Sequence, residues 1–176
     1  MNNAIHRPWP RSASANAISS NAYSASCHAA CKRAATAATP WTLAITTRAT
    51  ATGGRSGHTA LDDGSLAFDL VVPGSGKSGA NPEQLFALGY AACFDSALEL
   101  TAKKLKLPLA GSHTSVAIGI GQTPEGGYKL DADITVRTQG LSTEQAQQLI
   151  EAAHQVCPYS NATRGNIDVR LHVETA

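Results

Sequence analysis

The sequence predicts an α+β domain, in which strands and helices are grouped rather than strictly alternating. Segments that alternate apolar and polar residues come in runs of three, two and one, separated by two helix-like segments. Hydrophobic residues make up 43% of the 176 residues, which is enough for a packed core. The net charge of +1 argues against nucleic-acid binding. No apolar run looks long enough to cross a bilayer, so we expect no membrane partner either.

The first 40 residues differ in composition from the rest of the chain. Residues 1–40 hold four basic residues and no acidic one, whereas all 13 acidic residues lie at or beyond Asp62. This Ala-, Ser- and Asn-rich stretch has no hydrophobic periodicity, so we expect a disordered leader and a folded domain over 41–176. It lacks the apolar region of a secretory signal. Its composition fits either an organelle transit peptide or an inert tail.

Three strand-like segments open the folded part. Residues 43–52 are rich in Thr and apolar residues and stop at a Gly-Gly pair. Residues 59–61 and 65–72 flank an Asp-Asp-Gly turn, which favours a hairpin. A Gly- and Ser-rich loop follows over 73–80.

A long central helix is predicted next. Asn81 can cap it, Pro82 suits its first position, and Gln84 completes a capping box. The helical pattern runs to about Leu105. Residues 85–93 are apolar on nearly every side, which predicts a buried helix.

The second half of the chain predicts two strands, a helix and a last strand. Residues 115–121 and 128–138 are strand-like, and the second of them alternates as a half-exposed antiparallel strand does. A helix is expected over 142–157, ended by Pro158. Residues 167–173 alternate as a final strand.

Two cysteines in the predicted helices are the candidates for chemistry. Cys93 lies in mid-helix, and Cys157 lies at a helix C-terminus, where the macrodipole opposes a thiolate. A reactive Cys93 therefore needs a nearby cation. Arg55 lies in a glycine-flanked turn that allows a close approach, and Glu83 can anchor it. The alternatives are two buried core thiols, a solvated turn arginine and a carboxylate that stabilises a helix N-terminus.

The spacing of Glu83 and Cys93 constrains any joint role. Ten residues correspond to about 15 Å along an unbroken helix. Either the helix breaks, for example at Gly89, or the Arg55–Glu83 pair serves the Cys93 of a second subunit. The second option implies a dimer with shared active sites.

Three other motifs give weaker indications of a functional site. Residues 74–78 suggest a phosphate loop, but the pattern lacks its first glycine and a helix that starts at the lysine. His154 fits a structural histidine as well as a base or ligand. Cys27 and Cys31 flank too few ligands for a metal site. We expect no metal and no cofactor.

Four stretches identify a family. They are 50–55 (TATGGR), 81–87 (NPEQLFA), 89–94 (GYAACF) and 152–167 (AAHQVCPYSNATRGNI). With them the chain resembles the organic hydroperoxide resistance family, within the larger group that contains the osmotically inducible proteins. The resemblance runs over about 46–173, and the last stretch favours the hydroperoxide branch. The loop at 73–80 looks shorter than is usual there.

The resemblance implies a thiol peroxidase for organic and fatty-acid hydroperoxides. Cys93 matches the peroxidatic cysteine and Cys157 the resolving one, joined in a Cys93–Cys157 disulfide during turnover. Arg55 and Glu83 match the pair that holds the thiolate ready. The implied reductants are dihydrolipoamide or the dihydrolipoyl groups of lipoylated proteins. The implied fold is an OsmC-like intertwined homodimer, with two central long helices packed between antiparallel β-sheets.

Three aromatic residues of the central helix, Phe86, Tyr90 and Phe94, are candidates for the apolar wall of a substrate site, and the sequence leaves open which of them lines the site and which the core. Two other functions remain open: a hydrophobic-ligand carrier with structural cysteines, and a redox-sensing stress protein. We expect a cytoplasmic location, or a mitochondrial one if the source is eukaryotic and the leader is a transit peptide.

Overall fold

The computed structural model describes residues 44–175. Within that range the elements are β1 (Ala49–Thr52), β2 (His58–Leu61), β3 (Ala67–Asp69), α1 (Pro82–Leu105), β4 (Gly111–Gln122), β5 (Tyr128–Gln139), α2 (Thr143–Val156), α3 (Pro158–Thr163) and β6 (Asp168–Thr175). The predicted α+β class is confirmed, and each of the predicted strands and helices is present, although β1 and β3 are shorter than the predicted segments 43–52 and 65–72. The short helix α3 was not predicted. The predicted leader, with Cys27 and Cys31, lies outside the described residues.

The strands form two three-stranded sheets. In the first, β1, β2 and β3 follow one another in antiparallel order. In the second, β4 and β5 form an antiparallel hairpin paired from Gly111↔Gln139 to Gln122↔Tyr128. The antiparallel pairing predicted for residues 128–138 is confirmed against β4, but β6 pairs with β5 in parallel, so the second sheet is mixed. The reason is the connection: two helices carry the chain back to the starting end of β5 before β6 begins.

The central helix α1 begins and ends close to where the sequence predicts. The Asn81 side chain accepts a hydrogen bond from the Gln84 N–H at 2.8 Å, and the Gln84 side chain accepts one from the Asn81 N–H at 2.9 Å. This reciprocal pair satisfies donors that the helix itself leaves free. The helix continues without a break through Gly89 to Leu105, and Lys106 ends it in the left-handed conformation at φ 55°. The break considered at Gly89 is therefore absent.

The core lies where one face of α1 meets α2 and the inner face of the second sheet. Its fully buried side chains include Tyr90, Phe94, Leu98, Ile134, Val136, Leu149, Ile150, Ala153 and Cys157. The opposite side of α1 is open, because Leu88 is 65% exposed. The expectation that residues 85–93 are buried all round is thus wrong for one chain taken alone.

The same helix bears on the membrane question. By length and composition α1 is able to cross a membrane, and its most apolar 18-residue window has a mean hydropathy of 1.2. The expectation that no segment reaches that length is therefore wrong. A third of the window is buried, and core helices of globular proteins pass the same criterion, so length and composition alone do not assign α1 to a membrane.

The first sheet has no core of its own. None of the residues in β1, β2 or β3 is fully buried. Strands of three and four residues also bury little area, and a small sheet is stable only when a hydrophobic face is covered. An apolar groove of about 430 Å³ opens between this sheet and α1. Its lining includes Phe68, Leu85, Leu88, Ala91 and Val116.

Candidate active site

The two cysteines of the folded part lie side by side. Cys93 is on α1 and Cys157 is at the junction of α2 and α3, and both are free thiols. The Cys157 thiol donates to the Cys93 sulfur with the two Sγ atoms 3.5 Å apart. Cys157 has no exposed surface, whereas Cys93 is half-buried. A disulfide requires about 2.05 Å between sulfurs, so a shift of roughly 1.5 Å closes the bond.

Two helix ends meet at Cys157. Its N–H donates to the Ala153 carbonyl as the last bond of α2, and its carbonyl accepts from the Asn161 N–H in α3. Pro158, which predicts the end of α2, also starts α3, since proline is favoured at a first helical position. The carboxyl end of α2 and the amino end of α3 have opposite partial charges. Cys157 therefore lies at the helix C-terminus that the sequence predicts and, in addition, at the start of a helix that it does not.

Within one chain the thiol form of Cys93 is favoured. Burial raises the pKa of Cys93 above its ordinary value, and the neighbouring Cys157 thiol raises it further. The backbone N–H of Tyr159 acts in the other direction, because its hydrogen bond to the sulfur lowers the pKa of Cys93. Arg55 is not among the groups of this chain that shift that pKa.

Arg55 and Glu83 form an ion pair with two hydrogen bonds. Arg55 Nη1 donates to Glu83 Oε2 at 2.9 Å, and Arg55 Nη2 donates to Glu83 Oε1. This two-point geometry is the strongest that a guanidinium and a carboxylate adopt. The hydrogen bond from Arg55 lowers the pKa of Glu83, and the same bond raises the pKa of Arg55. The Glu83 side chain is 12% exposed and the Arg55 side chain 46%.

The turn that carries Arg55 depends on glycine. Residues Gly54–Ser56 form one turn of 3₁₀ helix, preceded by Gly53 at φ 71°. A Cβ on Gly57 would lie 1.8 Å from the Thr52 carbonyl oxygen, so this position accepts no side chain. The turn thus places Arg55 over the first turn of α1, where Glu83 lies.

One chain does not bring the ion pair to the thiol pair. Because α1 is unbroken, the Cα atoms of Glu83 and Cys93 are about 15 Å apart along the helix and about 80° apart around it. Of the two options left open by the sequence, a helix break is excluded. The described chain therefore holds two halves of a candidate site, one at each end of this ten-residue interval.

The aromatic residues predicted to contact substrate differ in exposure. Phe86 is half-buried, whereas Tyr90 and Phe94 have no exposed surface and belong to the core. A fully buried side chain cannot touch a substrate unless the packing opens, so the structure does not favour that role for Tyr90 and Phe94. For Phe86 it stays a prediction.

Tyr159 is an aromatic neighbour that the sequence did not single out. Its ring stacks on Phe86 with centroids 5.8 Å apart and planes at 13°, and lies 5.6 Å from the Tyr90 ring. The ring covers Gly89, where a Cβ would lie 2.9 Å from Tyr159 Oη. The sequence feature that could have drawn attention to Tyr159 is its position two residues after Cys157.

The remaining candidates do not form a site. No group of three or more His, Cys, Asp or Glu side chains in residues 44–175 is arranged to hold a metal ion. The loop at 74–78 is not followed by a helix at its lysine, because α1 starts at Pro82. His154 packs against the Phe94 ring at 6.4 Å, and burial lowers the pKa of His154.

Comparisons with known proteins show the family to which the chain belongs. The family model described as OsmC-like protein matches residues 74–172. Organic hydroperoxide resistance protein OhrB of Bacillus subtilis is 46% identical over 133 residues, which cover 74% of this chain and 98% of that protein. The organic hydroperoxide resistance protein of Xanthomonas axonopodis pv. citri is 47% identical, over 76% of this chain and 97% of the other.

Solved structures match equally well. The crystal structure of an organic hydroperoxide resistance protein from Elizabethkingia anophelis has a TM-score of 0.72 and 48% identity, over 77% of this chain and all of that one. The family model and these solved structures place the two-sheet α+β domain in the class of the OsmC-like proteins. Within that family this chain belongs to the organic hydroperoxide resistance branch, as its motifs predict.

Proposed function

We propose that this protein is a thiol-dependent peroxidase that reduces organic hydroperoxides, including those of fatty acids, to alcohols. The observation that carries the proposal is the 3.5 Å contact between the free Cys93 and Cys157 sulfurs. It occurs in a chain nearly half identical to proteins named for organic hydroperoxide resistance. The contact supports a reaction in which two thiols lose two electrons together and become a disulfide.

The half-buried Cys93 is the sulfur that meets the peroxide. As a thiolate it attacks the distal oxygen of ROOH, the O–O bond breaks, and RO⁻ leaves and takes up a proton to become the alcohol. Cys93 is left as a sulfenic acid. The adjacent Tyr159 N–H is a fixed donor that favours the anionic sulfur before the attack.

Cys157 completes the first half of the cycle. Its thiol attacks the Cys93 sulfenic acid, the S–S bond forms, and the oxygen leaves as water. Cys157 has no exposed surface and so is protected from direct oxidation by peroxide. The buried position of Cys157 beside Cys93 therefore suits a sulfur that reacts only with Cys93.

A dithiol then restores both thiols. Its first thiolate attacks the more accessible sulfur, Cys93, and Cys157 leaves; its second thiol displaces Cys93 from the mixed disulfide. The dithiol becomes a cyclic disulfide. We propose dihydrolipoyl groups as this reductant, because a flexible dithiol arm can enter a half-buried site that a folded protein cannot.

We further propose a homodimer in which each subunit completes the other's site. Burial raises the pKa of Cys93 in one chain, so a cation is needed, and Arg55 is held by Glu83 about 15 Å away along α1. The first sheet lacks a buried residue, and an apolar groove opens between it and α1. A second copy that packs against this groove would cover Leu88 and bring the partner's Arg55 to Cys93.

Thiol counting tests the peroxidase. The reduced protein receives one equivalent of linoleic acid hydroperoxide, and accessible plus buried thiols are counted after denaturation. The wild type should lose two thiols per equivalent and form alcohol in equal amount. Cys93→Ser should lose none, and Cys157→Ser should turn over about once and stop at the sulfenic acid. A carrier with structural cysteines would keep all its thiols.

Steady-state assays test the reductant. With excess hydroperoxide, dihydrolipoamide should sustain turnover, whereas glutathione and thioredoxin should not. Equal rates with all three reductants contradict the lipoyl proposal and leave the peroxidase itself standing.

A further inference from the structure

A buried group of three hydroxyls lies beside the thiol pair. The Tyr90 hydroxyl is 3.0 Å from Ser160 Oγ and 3.3 Å from Thr163 Oγ1. Tyr90 comes one helical turn before Cys93 on α1, and Ser160 comes one turn after Cys157 on α3. The group therefore joins the two segments that carry the sulfurs, close to the sulfurs themselves.

The directions of these hydrogen bonds follow from counting protons. The Thr163 hydroxyl donates its one proton to main-chain carbonyls, those of Tyr159 at 3.0 Å and Ser160 at 3.2 Å. Thr163 can then only accept from Tyr90. Tyr90 has donated its proton and accepts one from Ser160. The result is a directed chain, Ser160 to Tyr90 to Thr163 to the backbone of α3, in which each hydroxyl donates once.

The position of α3 depends on this chain. A helix of six residues is too short to be stable by its own hydrogen bonds. Its buried side chains are those of Ser160 and Thr163, which are polar. The half-exposed Tyr159 ring supplies apolar packing at one edge. The hydroxyls thus hold α3 against the rest of the domain, as an apolar face holds α1 and α2. Because hydrogen bonds are more directional than apolar contacts, they also fix the orientation of α3.

We propose that Tyr90 is a positioning residue, whose hydroxyl holds α3 on α1 so that the Cys157 sulfur stays within bonding reach of Cys93. The inference rests on the proposed function for its place in the cycle, the condensation step. In that step the Cys157 thiol attacks the Cys93 sulfenic acid, one S–S bond forms and one water leaves. The peroxide step takes place on Cys93, and α3 contributes to it only the Tyr159 N–H, whereas condensation requires the Cys157 sulfur itself to be in register.

The first measurement does not use peroxide. The reduced protein is equilibrated with mixtures of oxidised and reduced glutathione, in which a Cys93–Cys157 disulfide forms as oxidised glutathione becomes two thiols. The equilibrium constant gives the effective concentration of one thiol at the other. Tyr90→Phe keeps the ring and removes the hydroxyl, and should lower that concentration about tenfold or more, since a displacement of the order of 1 Å can cost up to about a hundredfold.

The second measurement separates the two steps of turnover. Formation of the Cys93 sulfenic acid is followed in a Cys157→Ser background, and disulfide formation is followed in the otherwise unchanged protein. Tyr90→Phe should slow disulfide formation about tenfold and leave sulfenic acid formation within about twofold. A merely structural loss of stability would not slow only one of the two.

Matched variants keep the inference open to refutation. Thr163→Ser retains the hydroxyl and should behave as wild type, whereas Thr163→Ala should resemble Tyr90→Phe. Ser96→Ala removes a hydroxyl from the same helix, one bonded to the Ala92 carbonyl, and should change neither measurement. If Tyr90→Phe does not fold, the Thr163 pair and Ser160→Ala decide the question.

Two results overturn the inference: an unchanged glutathione equilibrium in Tyr90→Phe or Thr163→Ala, or an equal slowing of both steps. Failure of the proposed function looks different. The wild type would then keep its thiols in hydroperoxide, while Tyr90→Phe would still shift the glutathione equilibrium.

Discussion

Two inactive variants of this chain should restore activity when they are combined in one dimer. Cys93→Ser removes the reacting sulfur and leaves the Arg55–Glu83 pair. Arg55→Ala removes the cation and leaves the thiol pair. If the site is shared, the mixed dimer holds one complete site, built from the arginine of the first chain and the cysteine of the second. It also holds one site that lacks both groups.

The size of the effect follows from the geometry of α1. In one chain the Arg55 guanidinium is held at Glu83, about 15 Å along the helix from Cys93. Coulomb energy falls with distance, so its effect on the sulfur at 15 Å is about a quarter of that at 4 Å. Salt reduces it further, because the screening length is about 8 Å at physiological ionic strength. Arg55 in the same chain therefore does little for Cys93, and the mixed dimer should have about half of the wild-type activity, one site in two.

The assay requires pure mixed dimers. The two variants are co-expressed with different affinity tags and purified on both tags in succession, and hydroperoxide consumption is measured with a dihydrolipoyl reductant. Each variant expressed alone supplies the background. A mixed dimer with no more activity than the sum of its parents would refute the shared site, and Arg55 would lose its place in the mechanism.

Three further predictions concern stability. Gly89→Ala should lower the free energy of unfolding, because the new methyl group collides with the stacked Tyr159 ring. This steric cost of about 1–3 kcal/mol exceeds the gain in helix propensity of about 1 kcal/mol. In a Tyr159→Ala background the same change should stabilise the protein. Asn81→Ala should cost about 1 kcal/mol in urea unfolding, through loss of the capping box. Arg55→Ala should destabilise the protein at pH 7 and lose that effect as the pH falls below 4.5: the pKa of Glu83 is lowered in the folded state, so its contribution is present above the unfolded value and disappears once the carboxylate is protonated. An effect of Arg55→Ala that persists in acid would contradict the ion pair as its cause.

The local signals in the sequence are sufficient for most of the secondary structure. The start of α1 depends on Asn81 and Gln84, and the start of α2 on Ser142 and Gln145, pairs only three residues apart. The order of helices and strands and the α+β class follow from such signals together with periodicity. The family follows from short contiguous motifs, and with it the choice of Cys93 and Cys157 as the residues of interest.

Features that join distant parts of the chain could not be predicted from the residues alone. The parallel pairing of β6 with β5 depends on how two helices cross the sheet. The short helix α3 has no apolar periodicity, because hydroxyls rather than an apolar face hold it. The burial of Tyr90 and Phe94, predicted as substrate contacts, follows from packing against α2 and the second sheet.

The sequence by itself therefore determined the two longer helices α1 and α2, most strands, the α+β class and, through its motifs, the family. The tertiary structure decided which groups meet. The sulfurs that lie 3.5 Å apart are 64 residues apart in the chain, and the hydroxyls that join α1 to α3 are 70 and 73 residues apart. It also showed that an unbroken α1 separates Arg55 and Glu83 from the Cys93 of their own chain. The physical reason is range: capping and periodicity act over three or four residues, whereas the approach of two sulfurs depends on the packing of a whole core.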